Sequence, residues 1–120
     1  MRVDASERPL YYALGGEDGR TPEPTDQATA GKLLADCDAR RVARDEVALP
    51  EGGSVVVSTV FLVVDHAFLE EEPVLFETRT FGLSEEAQRR YHALAEAEAG
   101  HAEVLAETRR ILGVGEEVEG

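Results

Sequence analysis

Between Gly53 and Asp65 the chain is apolar on both of its alternations. Val55, Val57, Thr59, Phe61 and Val63 share one set of alternate positions, and Val56, Ser58, Val60, Leu62 and Val64 the other. Successive side chains of a strand point to opposite faces. A strand that is apolar on both must therefore be central, covered on two sides or on one side plus a partner. The block ends abruptly at Asp65-His66, and a second β-prone block, Pro73 to Gly82, follows an acidic loop. Pro73 is tolerated where a strand begins. The pair predicts an antiparallel hairpin, with Val74, Phe76, Thr78 and Thr80 on one face of the return strand. Leu75, Glu77, Arg79 and Phe81 fall on the other. Counting back from the loop puts Glu77 roughly opposite Phe61, one or two rungs below Asp65.

The rest of the chain arranges itself around that hairpin. Leu10 to Leu14 is a short β-prone run stopped by Gly15-Gly16, and Glu17 to Pro24 has the composition of a loop. Asp26 can cap a short helix over about Ala28 to Cys37, with Leu33, Leu34 and Cys37 inward and Gly31 weakening it. Arg40 to Leu49 predicts a charged edge strand, closed by the turn Pro50-Glu51-Gly52-Gly53. Ser84 is a good N-cap, and a helix is expected from there to about Leu112, with Gly113 as its C-terminal stop. Glu85 and Glu86 suit the positive end of its dipole, and Arg109 and Arg110 the negative end. Its inward stripe would hold Ala87, Tyr91, Leu94, Ala95, Glu98, His101, Ala102, Leu105 and Leu112. The expected fold is α+β: a small antiparallel sheet of three to four strands, a long C-terminal helix packed on one face, and a short helix before the second strand. Residues 1–9 read as a flexible arm, 10–113 as a single domain and 114–120 as an acidic tail.

Charge narrows the choice of partners. The 120 residues carry 25 acidic and 12 basic side chains, a formal net charge of −13. Phosphate recognition needs Lys and Arg, so direct nucleic-acid binding is disfavoured, as is an anionic membrane surface. A compact acidic domain can imitate DNA, but acidity more commonly serves solubility. A single cysteine, Cys37, permits no intrachain disulfide. The first residues lack the apolar core of a secretory signal, and no apolar run approaches a membrane span. A cytoplasmic protein is expected.

Few residues are disposed for chemistry. Asp65, His66 and Glu77 lie along the hairpin, and His101 follows Gly100 on the helix stripe, where the missing side chain admits a close neighbour. A lone histidine on a core-facing stripe is more often hydrogen-bonded structure than ligand. A neutral imidazole donating to Asp65 or Glu77 across the sheet–helix contact would satisfy both. Glu77 could equally form a surface pair with Arg79, worth little. Asp65, His66, Glu77 and His101 are of the right types for zinc or a similar ion, but their spacing matches no short metal motif. No cofactor is expected; a divalent metal on those four residues is the alternative. Gly-x-Ser-x-Gly, Gly-x-Gly-x-x-Gly and Walker patterns are absent from the sequence, which leaves no motif for nucleophilic catalysis or nucleotide binding.

Several segments together resemble a family. Val57 to His66, Pro73 to Thr78, Phe81-Gly82, Arg90-Tyr91 and Glu96 to His101 are similar to the pattern VSTVFLGLDHxF, PxLFETMxFG, RYxTWxEAxxGH. This pattern belongs to small uncharacterised proteins of bacteriophages and prophages. Tyr11-Tyr12 and Arg40-Arg41-Val42-Ala43 extend the resemblance, which covers roughly residues 11 to 105. It departs where Val63 replaces a common Gly, Arg79-Thr80 a Met-containing pair and Ala93-Leu94 a Thr-Trp pair. Loss of that threonine removes the family's helix cap, which favours the earlier start at Ser84. The resemblance brings no activity with it. It implies an accessory protein acting inside an infected bacterium, and its recurrent polar positions fall on Asp65, His66, Glu77, Arg90, Tyr91 and His101. Two functional expectations follow. One is a non-enzymatic interaction protein that binds a host or phage protein through the sheet face opposite the helix or through the hairpin tip. The other is a metal- or small-ligand site, nucleotide-sequestering or enzymatic, built from Asp65, His66, Glu77 and His101. The Arg-rich strand near residues 40–44 would also permit homodimerisation at the sheet edge.

Overall fold

The fold, from a computed structural model, is described for residues 9–65, 72–83 and 86–113. It is the expected α+β architecture. Arg41–Ala48 (β3), Ser54–Phe61 (β4), Phe76–Phe81 (β5) and Gln88–Tyr91 (β6) form an antiparallel sheet in that order. Leu94–Leu112 (α3) packs across one face of it. Before the sheet come a separate hairpin, Tyr12–Gly15 (β1) with Thr21–Pro24 (β2), and two short helices, Gln27–Ala35 (α1) and Cys37–Arg40 (α2).

The central strand is where its two-sided apolar pattern requires. β4 lies between β3 and β5, with Val55, Val57, Thr59 and Phe61 fully buried beneath α3. At about 1.5–3 kcal/mol per large apolar side chain, this row and its facing residues on β5 supply most of the local stabilisation. The Phe61 and Phe76 rings meet at 5.4 Å with their planes inclined by 41°, a tilted aromatic contact. Around them Tyr12, Ala30, Val63, Leu75, Tyr91 and Ala97 complete the main cluster. The turn at residues 50–53 forms as expected, with Gly52 and Gly53 at positive φ and Leu49 N–H donating to Gly53 C=O at 3.0 Å.

Four expectations are corrected. The segment Glu17 to Pro24 is not all loop: Thr21–Pro24 pairs with β1, because each β1 residue finds a partner across the Gly16–Gly19 turn. β4 ends at Phe61 rather than at Asp65. Val63 adopts φ 71°, and this left-handed residue swings the chain off β5. Val63 C=O then accepts from Tyr12 N–H at 2.7 Å, and Asp65 N–H donates to Leu10 C=O at 2.9 Å, which ties the small hairpin to the sheet. A positive φ in a β-branched residue costs about 1–3 kcal/mol. Full burial of the Val63 side chain offsets a cost of that size.

On α1, Ala30 rather than Leu34 or Cys37 is the buried residue; Leu33 is partly buried, while Leu34 and Cys37 are exposed. Asp26 caps the helix as expected, accepting from Thr29 N–H at 2.7 Å. The largest correction concerns the C-terminal helix. It begins at Leu94, with Ala93 as N-cap, and Gln88–Tyr91 runs back along β5 as a fourth strand. Ser84 lies outside the described residues. The buried stripe of α3 is accordingly Ala97, Gly100, His101, Val104 and Thr108, rotated from the expected one. Gly113 closes the helix in the left-handed conformation, its N–H donating to Arg110 C=O at 3.2 Å.

Candidate functional site

Under α3 the sheet carries a row of polar residues inside an otherwise apolar face. Thr59 of β4 pairs with Thr78 of β5, and both are fully buried. Their hydroxyls hydrogen-bond to each other. Tyr91 of β6 donates from its hydroxyl to Thr78 Oγ1 at 3.1 Å. On the other side Thr59 Oγ1 lies 2.8 Å from His101 Nδ1, and His101 Nε2 lies 2.8 Å from Asp45 Oδ2 on β3. A carboxylate only accepts, so Nε2 carries the proton and Nδ1 accepts from Thr59 in the neutral ring. One continuous chain thus crosses the whole sheet: Tyr91, Thr78, Thr59, His101, Asp45. Each threonine hydroxyl in it donates once and accepts once, which satisfies groups that would be costly to bury alone. Gly100 makes the arrangement fit, because a Cβ there would overlap the Tyr91 ring.

The opposite face of the sheet has a different character. Val56, Ser58 and Val60 of β4 are half-buried there, and Arg44, Glu46, Arg79, Phe81, Gln88 and Arg90 are exposed. Glu77 is the exception, buried at the centre of the face and opposite Val60. Gln88 Nε2 and Arg90 Nε, the latter at 3.0 Å, donate to its Oε2. Burial pushes the Glu77 carboxyl up, but the bonds from Gln88 and Arg90 and the charges of Arg90 and Arg79 together outweigh it. They hold the pKa below the usual glutamate value. Arg79 is therefore not the partner of Glu77; its guanidinium stands over the Phe81 ring, 5.4 Å from the centroid. A shallow depression of about 200 Å³ lies among Ser58, Val60, Glu77, Arg79 and Phe81.

The residues singled out in the sequence are thus divided among three places. Glu77 and Arg90 pair on the open face. Tyr91 and His101 are joined beneath α3 through the two threonines. Asp65 is buried at the end of the central segment, where its Oδ1 accepts from Val74 N–H at 3.1 Å and closes the hairpin loop. His66 lies outside the described residues. His101 meets Asp45 and Thr59, not Asp65 or Glu77. Among the described residues no three His, Cys, Asp or Glu side chains come together as a metal-binding group.

Asp45, Thr59 and Thr78 were not among the candidates. Their trace in the sequence is slight but present: Thr59 and Thr78 are polar interruptions on the apolar alternations of the two central strands. Asp45 looks like any charge on an edge strand until the helix is placed. Comparison with protein-family models, with curated proteins and with solved structures yields no match for this chain.

Proposed function

We propose that this is a non-enzymatic binding protein that presents the open face of its four-stranded sheet to a protein partner. The observation that carries the reading is the contrast between the two faces. The face under α3 has its hydroxyls and imidazole bonded to one another and buried. The other leaves Phe81 43% exposed beside the half-buried Val56 and Val60. Arg44, Arg79 and Arg90 surround that apolar strip in a protein whose net charge is −13. Apolar contact area framed by arginine is the composition of interface centres. Arg44 and Arg90 already pair with Glu46 and Glu77, so Arg79, over the Phe81 ring, is the cation that favours a partner bringing an acidic side chain beside an apolar anchor. The motif resemblance supports a phage-type accessory role inside the bacterial cell, with a host or phage protein as the partner. Among the described residues no helix is long and apolar enough to cross a membrane.

The test uses a double variant, Arg79→Gln with Phe81→Ser, both side chains being exposed on the open face. Its melting temperature should match the parent within a few degrees, since surface changes are usually worth less than about 0.5 kcal/mol each. Affinity capture from bacterial lysate, with and without phage infection, should recover a partner with the parent chain and lose it with the variant. The same proteins recovered with both chains would overturn the reading.

A further inference from the structure

We propose that the chain Asp45–His101–Thr59–Thr78–Tyr91 is a proton-responsive latch, in which one proton taken up by His101 reverses every hydroxyl hydrogen bond across the sheet. The argument rests on donor and acceptor capacity. In the neutral state the direction is fixed at both ends. Tyr91 donates to Thr78 at 3.1 Å, and His101 donates from Nε2 to the Asp45 carboxylate at 2.8 Å. The hydroxyls between them must then point towards Nδ1: Thr78 donates to Thr59 and Thr59 donates to His101. A proton added at Nδ1 turns that nitrogen from acceptor to donor. Two donors cannot face each other at 2.8 Å, so the Thr59 hydroxyl rotates away and accepts. Thr59 then donates to Thr78, and Thr78 to the Tyr91 oxygen. The Tyr91 hydrogen then leaves the chain, and Tyr91, a buried residue, is where the donor is displaced. No bond between heavy atoms changes; one proton is added and three hydroxyls rotate.

The surroundings make Asp45 the only charged partner of the ring among the described residues. Facing His101 from β3 is Asp45, whose side chain is 43% exposed. β4 contributes Val57, Thr59 and Phe61 to this face, and β5 contributes Phe76, Thr78 and Thr80, none of them charged. β6 contributes Tyr91 and Arg89, and the Arg89 guanidinium is held 2.7 Å from Glu103 of α3. On α3 itself Glu98 is engaged by Arg20 at 2.7 Å. The charged ring is therefore compensated by Asp45, and the cost of reversal falls at the far end, on Tyr91. That residue seats against Gly100 in the middle of α3. The latch thus links the protonation of His101 to the hydroxyl of Tyr91, on the strand at the other edge of the sheet, against which the helix seats.

Nuclear magnetic resonance on the full chain tests this without any ligand. Imidazole 15N shifts should show the Nε2–H tautomer at high pH. As pH falls, the Tyr91 ring carbons should shift with the same midpoint as His101. Thr59→Val, nearly isosteric, cuts the chain: His101 should still titrate, and the Tyr91 response at that midpoint should fall at least fivefold. Thr78→Val should do the same and serves if the first variant does not fold. An Nδ1–H tautomer, a Tyr91 ring indifferent to the His101 titration, or a Tyr91 response that survives both valine variants would overturn the proposal.

Discussion

At the scale of single residues, the decisive feature is how little freedom the polar groups have. Gly100 is obligatory for steric reasons, since its α-hydrogen side touches the Tyr91 ring. Gly100→Ala gains about 1 kcal/mol of helix propensity. It pays about 1–3 kcal/mol for overpacking a ring that is itself hydrogen-bonded to Thr78. The second effect wins, so the variant should melt several degrees lower in a calorimeter, and the near-ultraviolet tyrosine signal should change. Glu77 shows the complementary case of a charge kept by its neighbours. Its folded pKa lies below the ordinary value because Gln88 and Arg90 bond the ionised form, despite the opposing effect of burial. That contribution to stability is present above the unfolded glutamate pKa of about 4.3 and is lost as pH falls through the lower folded value. Glu77→Gln should therefore flatten this part of the acid limb of a urea-midpoint-against-pH curve. At neutral pH it should cost on the order of 1 kcal/mol, the exposed Arg90 limiting the loss.

At the scale of elements, the boundary between β6 and α3 is the instructive one. From Ala87 onwards the sequence has good helix formers and an acidic start, and a continuous helix from Ser84 satisfies local propensity. Yet residues 88–91 are held as a strand, because Glu77 pairs with Arg90 and Phe76 with Tyr91 across β5. Pairing to an already formed sheet buries Tyr91 and satisfies Glu77, and tertiary context overrides a weak local preference. The helix then starts at Leu94, and its N-cap Ala93 has the extended backbone of that position, φ −126° and ψ 153°, but no side chain that can accept. Glu96 closes the turn from the other direction, its Oε1 accepting from the backbone N–H of Ala93 at 3.2 Å. Ala93→Thr supplies the missing acceptor. It should raise stability by about 1 kcal/mol, read as a higher urea midpoint with unchanged slope.

At the scale of the whole molecule, one sheet separates two chemistries. Its α3 face is closed by a hydrogen-bonded row running from β6 to β3, and its open face presents arginine and Phe81. Sequence patterning reveals that a central strand exists, that it pairs with the block after Pro73, and that a helix stopped by Gly113 follows. All three depend on local composition and on periods of two or 3.6 residues, and these can be read without coordinates. The alternation also assigned Glu77 and Thr78 to opposite faces correctly. What it could not supply was the partner of any polar side chain. His101 lies 56 residues from Asp45 and 42 from Thr59. Nothing local distinguishes Asp45 from the other edge charges of β3. Strand order and the rotation of α3 about its own axis determine which carboxylate the imidazole meets. Both depend on packing across the sheet: a helix entered after a fourth strand keeps His101 inward as expected but presents Ala97, Gly100, Val104 and Thr108 beside it in place of Leu94, Ala95, Glu98 and Ala102. The sequence alone thus determined the central strand, the strand that pairs with it after Pro73 and the helix that stops at Gly113, because those follow from neighbours in the chain. Tertiary structure alone decided the pairing of the polar groups, because hydrogen bonds form between neighbours in space.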